Sequence, residues 1–104
     1  YVDYTINYIE HNYSKNIKIT DIADYRGINR SYLTSCFKKS MNISPQRFLL
    51  EYRMKKAENL LLSTTKSINE ISFEVGYEDS LAFSKVFKSY SGLSPKSYRA
   101  NSGQ

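Results

Sequence analysis

Two clusters of side chains repeat one another's spacing: Ser31, Thr34, Ser35 and Lys38, then Leu81, Ser84, Lys85 and Lys88, 50 positions further on. On a helix each cluster falls along one face. Such a face offers hydroxyls, ammonium groups and one apolar side chain to an outside surface, and nothing that makes or breaks covalent bonds. The other reactive residue types are isolated. His11 is the only histidine and has no partner cluster, so no metal is expected. Cys36 is the only cysteine, which rules out an internal disulfide. It shares a stripe with Leu33 and Phe37 and is read as a core thiol. Glu70 and Glu74 are read as helix N-terminal charge and solvated surface. There is no catalytic triad and no phosphate-binding glycine loop, so neither an enzyme nor a cofactor is expected.

The charge pattern points to anionic partners. Fifteen Lys and Arg against ten Asp and Glu leave a net charge of +5. From Tyr25 to Leu50 there is no acid, but there are Arg26, Arg30, Lys38, Lys39 and Arg47. From Ser80 to Gln104 there is again none, with Lys85, Lys88, Lys96 and Arg99. Two separated acid-free basic stretches suggest two anionic contact surfaces. No apolar run approaches the roughly 20 residues of a membrane span, and no signal peptide is visible. The chain opens on Tyr1 with an already helical pattern, so a piece of a longer protein is expected.

Apolar spacings of three and four dominate the 104 residues, which predicts an all-α domain of seven helices. The first runs from Val2 to Tyr13, with Ile6, Ile9 and Tyr13 on one face. The second begins after Thr20 as N-cap and ends near Arg26–Gly27. The third starts after Asn29 and reaches Met41. A long fourth helix opens at Ser44–Pro45 and continues to Leu62, about 27 Å at 1.5 Å per residue. Ser67 to Glu70 reads as a capping box for the fifth, which ends at Val75–Gly76. The sixth starts near Asp79 and stops at Gly92. Ser94–Pro95 opens a short seventh, and the tail from Asn101 to Gln104 is expected to fray.

These elements form a duplication. Ile19, Ile22 and Gly27 recur 49 positions later as Ile68, Ile71 and Gly76. Leu33, Phe37, Lys38, Ser44, Pro45 and Phe48 recur 50 positions later as Phe83, Phe87, Lys88, Ser94, Pro95 and Tyr98. One residue is therefore inserted between the turn and the next helix of one copy. Each copy reads as a helix-turn-helix, which needs a small residue where the helices meet, a turn residue at positive φ and apolar anchors on the second helix. Ala23 and Gly27 fill the first two roles in one copy, Ser72 and Gly76 in the other. The anchors are Ile22, Ile28 and Leu33, then Ile71, Val75, Tyr77 and Phe83. Arg26 stands where a smaller apolar residue is expected and should snorkel. The division is residues 1–44, a linker helix 45–62, and residues 63–104.

The exposed faces of the second helices are then candidates for the major groove of double-stranded DNA. Ser31, Thr34, Ser35, Leu81, Ser84 and Lys85 are placed to read bases, with Lys85 suited to guanine acceptors and Leu81 to a thymine methyl. Arg30, Lys38, Lys88, Lys96 and Arg99 are assigned to phosphates. A helical module docking an acidic protein is the rival reading.

The stretch ISFEVGYEDSLAFSKVFKSYSGLSPKSYR, Ile71 to Arg99, resembles the C-terminal signature of the AraC/XylS family of bacterial transcription regulators. ITDIADYRGINRSYLTSCFKKSMNISPQRF is similar to that family's first helix-turn-helix. The resemblance implies recognition helices about one DNA turn apart, entering successive major grooves. It implies RNA polymerase as a partner, activation or repression of transcription, and a location at the bacterial nucleoid in the cytoplasm. It also implies an effector-sensing or dimerisation domain beyond this chain. Family readers are often Arg or Gln. The short hydroxyls here shift weight, chiefly in the first copy, toward phosphate contacts and DNA shape.

Overall fold

A computed structural model describes residues 1–102 of the chain. Helix-stop and helix-start chemistry divides it into seven helices: α1 (Val2–Asn12), α2 (Ile19–Arg26), α3 (Arg30–Met41), α4 (Pro45–Ser63), α5 (Ile68–Glu74), α6 (Ser80–Ser91) and α7 (Pro95–Ser102). There is no strand among the described residues. Of the tail expected to fray, Asn101 and Ser102 lie in α7, while Gly103 and Gln104 lie outside the described residues.

Most helix starts use the caps legible in the sequence. Asn29 Oδ1 accepts from Tyr32 N at 3.1 Å, Ser44 Oγ from Arg47 N at 3.1 Å, and Asp79 Oδ1 from Leu81 N at 2.8 Å. At α5 the box is reciprocal: Ser67 Oγ accepts from Glu70 N, and Glu70 Oε1 accepts from Ser67 N, both at 3.1 Å. Each bond satisfies an orphan N–H of a first turn and is worth roughly 1 kcal/mol. The start of α2 differs from expectation. Its N-cap is Lys18, not Thr20, because Asp21 in the first turn reaches back and accepts from Lys18 N at 3.0 Å.

By packing, the chain forms two compact units, Tyr1–Tyr52 and Arg53–Gln104, with the boundary inside α4. The helix read as a separate linker thus lends its first half to one core and its second half to the other. In the first unit, α1 and α2 both pack on α3. Ile9, Ile19, Ile22, Leu33 and Leu49 make the buried centre, with Ile17, Ile28, Phe48 and Tyr52 partly buried around it. Thr5, an unremarked residue in the sequence, is fully buried because its hydroxyl donates to Tyr1 O at 2.8 Å. In the second unit, Met54, Ala57, Leu61, Ile71, Val75, Phe83 and Phe87 are buried. α6 packs on α5 and on α7.

Both turns close in the same way. Ile28 N donates to Ala23 O at 3.0 Å, and Tyr77 N to Ser72 O at 2.9 Å. Ala23 and Ser72 are buried, as a close helix crossing requires. Gly27 and Gly76 hold φ of 69° and 100°, where a β-carbon is strained. Two residues separate Gly27 from the start of α3 and three separate Gly76 from the start of α6, which is the inserted residue of the repeat.

Candidate nucleic-acid interface

The buried side of each second helix determines what the other side presents. In α3, Leu33 and Phe37 point into the core, leaving Ser31, Ser35, Lys38 and Lys39 exposed and Thr34 half-buried. In α6, Phe83 and Phe87 are the buried pair. Lys85 and Lys88 are exposed, Ser84 is half-buried, and Leu81 is 70% exposed in the first turn. Of the six expected base readers, Ser31, Ser35, Leu81 and Lys85 therefore sit on the outer side of their helices, and Thr34 and Ser84 on the flanks of the buried pairs. An apolar side chain as open as Leu81 gains nothing from water and suits contact with a base methyl. Neither helix carries an acid, so no carboxylate on it repels a polyanion. The ion pairs Arg47–Glu51 and Lys66–Glu74 do not involve Lys38, Lys85, Lys88 or Lys96.

Arg30, at the start of α3, is exposed and lines a groove of about 320 Å³ with Lys18, Thr20 and Gln46. Lys96 is exposed in the first turn of α7. Arg99 departs from expectation. Its guanidinium is half-buried, donating from Nε to Leu61 O at 3.0 Å and from a terminal nitrogen to Thr64 O at 3.2 Å. Those bonds hold it against the end of α4.

Two further residues of α3 belong to this face or its edge. Lys39 is exposed and lies four positions after Ser35, on the same side; its helical spacing was signal enough. Tyr32 is 57% exposed, with Tyr1 edge-on at 6.1 Å. A hydrogen bond with Cys36 raises the Tyr32 hydroxyl above the usual tyrosine range. Cys36 is thus half-buried and not a core thiol, since a stripe one residue wide of the core centre is only partly covered. His11 Nδ1 lies 2.8 Å from Asn7 O, within its own helix.

Two helix-turn-helix units with matching turns and outward basic second helices define a tandem helix-turn-helix protein. The helix-turn-helix domain family matches residues 22–101, and the chain belongs to it, in its AraC/XylS type. It is 42% identical over 98 residues to the raffinose operon transcriptional regulatory protein RafR of Pediococcus pentosaceus, covering 94% of this chain and 35% of that protein. It is 43% identical over 99 residues to the Msm operon regulatory protein of Streptococcus mutans, covering 95% of this chain and 36% of that one. The C-terminal domain of AraT, a response regulator from Geobacillus stearothermophilus, superposes with a TM-score of 0.94 at 35% identity, covering 96% of this chain and 84% of that chain. The chain spans about a third of the length of the curated relatives. This is a family of transcription regulators, not of enzymes. Among the described residues, no helix is long and apolar enough to cross a membrane.

Proposed function

We propose that this chain is the DNA-reading part of a longer bacterial transcription regulator. It inserts α3 and α6 into successive major grooves of double-stranded DNA. The observation that carries the reading is the repetition of an acid-free, donor-rich outer face opposite a buried apolar pair. Ser31, Thr34 and Ser35 face bases in one groove, and Leu81, Ser84 and Lys85 in the other. Arg30, Lys38, Lys88 and Lys96 neutralise phosphates. Residues 1–44 and 63–104 act as the two readers, and residues 45–62 connect them. A domain outside this chain senses an effector or dimerises, RNA polymerase is the downstream partner, and the protein works in the cytoplasm at the nucleoid.

The test is selection of bound duplexes from a random pool, followed by titration of the best site against salt. Four phosphate contacts at about −0.9 each predict a log–log slope of roughly −3 to −4. A chain that enriches no sequence and shows a flat slope does not read DNA.

A further inference from the structure

Arg99 is the one expected phosphate ligand that the fold occupies elsewhere, and its surroundings assign it another task. It sits in α7 and donates to Leu61 O and Thr64 O. α4 ends at Ser63, so Leu61 O belongs to the last-turn carbonyls that have no partner within the helix. A cation there also meets the negative end of the helix dipole. Thr64 Oγ1 donates to Leu60 O, and Arg99 takes two further acceptors of this end, Leu61 O and Thr64 O.

The residue beside it continues the path. Burial first, and then the neighbouring Glu58 carboxylate of α4, push the Tyr98 hydroxyl above its ordinary range. Its ring meets Phe87 of α6 edge-on, 5.3 Å between centroids. Phe87 touches Phe83 at 5.7 Å, and Phe83 touches Tyr77 at 5.7 Å. The Arg53 guanidinium of α4 lies 5.5 Å from the Tyr77 ring centroid. A chain of contacts thus leaves α4 at Arg53, passes through α6 and returns to α4 at Glu58 and the Arg99-bound carbonyls. Phe83 and Phe87 are the side chains of α6 opposite Leu81 and Lys85, with half-buried Ser84 on the flank between. Rotation of α6 about its axis is therefore tied to where α7 sits on α4. The equivalent position in the first copy is Leu49, which is buried and has no donor to offer.

We propose that Arg99 is a positioning residue for base readout by α6, acting through Tyr98 and Phe87, and that it makes no phosphate contact. This rests on the DNA-reading function above. The measurement is affinity against salt for the chain and its R99A, R99K and K96A variants. Each is tested on the selected duplex and on duplexes changed at one base pair in the α6 half or the α3 half. In the parent, one change should weaken binding roughly tenfold. In R99A the penalty in the α6 half should shrink toward twofold, while the α3 half keeps its penalty and the salt slope stays parental. R99K keeps the charge but loses the planar fork, so its α6 penalty should fall between the two. K96A should do the reverse, lowering the slope by about 0.9 with both penalties intact.

An R99A slope lower by about 0.9 with intact penalties would make Arg99 a phosphate ligand and overturn the inference. So would affinity lost equally on every duplex in proportion to the folded fraction measured by circular dichroism. If R99A does not fold, R99K decides: parental penalties there overturn the inference. A parent chain that binds no duplex overturns the DNA-reading function and this inference together.

Discussion

The two units each lay a cation over a tyrosine ring, but with the partners exchanged. In the first, Arg26 at the end of α2 lies 4.6 Å from the Tyr4 ring of α1. In the second, Arg53 of α4 supplies the charge and Tyr77 in the turn supplies the ring. Position 26 corresponds to Val75, which is fully buried. The second copy fills that site with an apolar anchor, whereas the first keeps an arginine and covers it with an aromatic face. Such contacts are worth roughly 0.5–2 kcal/mol. What the duplicates share is a tie between the preceding helix and the turn region; the residues that make it are exchangeable. They differ in polar satisfaction. Arg53 is hydrogen-bonded with the Tyr77 hydroxyl, whereas the Tyr4 hydroxyl is buried with no partner among the described residues.

The largest expected effect tests whether the units stand apart. Gly76→Val places a β-branched residue at φ 100° and should cost about 3 kcal/mol. Hydrogen exchange should accelerate in α5 and α6 while α2 and α3 stay protected; equal loss in both would show one cooperative body. Next comes the division of labour between readers. Lys85→Ala should lose about 1–3 kcal/mol of discrimination at one base step, and Ser35→Ala under about 1 kcal/mol. Site selection on both variants measures this, and equal losses would erase the proposed asymmetry. A smaller pair addresses the tyrosines directly. Tyr4→Phe removes an unsatisfied hydroxyl and should raise stability, whereas Tyr77→Phe removes a bonded one and should lower it, each by about 1 kcal/mol. Urea unfolding reads the two signs; Tyr4→Phe that destabilises would mean its hydroxyl has found a partner in solution.

The smallest effect concerns α5. Backbone hydrogen bonding from Ser67 holds the Glu70 carboxyl below its usual range. A depressed folded value means stability that is present above the unfolded value, near pH 4.3, and lost as pH falls through the folded one. Melting temperature should therefore decline less steeply on acidification in Glu70→Gln. An identical profile would remove the carboxylate's role in the cap.

Much of this was open to reading along the chain. Caps at Asn29, Ser44, Ser67 and Asp79 act within three residues, so local order alone reveals them. The turn glycines and the buried pairs Leu33/Phe37 and Phe83/Phe87 follow from the repeat. Misreadings arose where local rules compete or end. Thr20 is a fair cap by type, yet Asp21 draws the start of α2 back to Lys18. Cys36 keeps helical step with the core but sits at its margin.

Helix number, turn positions and the outward face of each reading helix were determined by the sequence itself, because they depend on periodicity and on contacts a few residues apart. Tertiary structure alone decided the fate of Arg99. The carbonyls it serves lie 38 and 35 residues earlier in the chain. No spacing rule links an arginine in α7 with the unpaired end of α4; only packing brings the donor and its orphan acceptors within hydrogen-bond range.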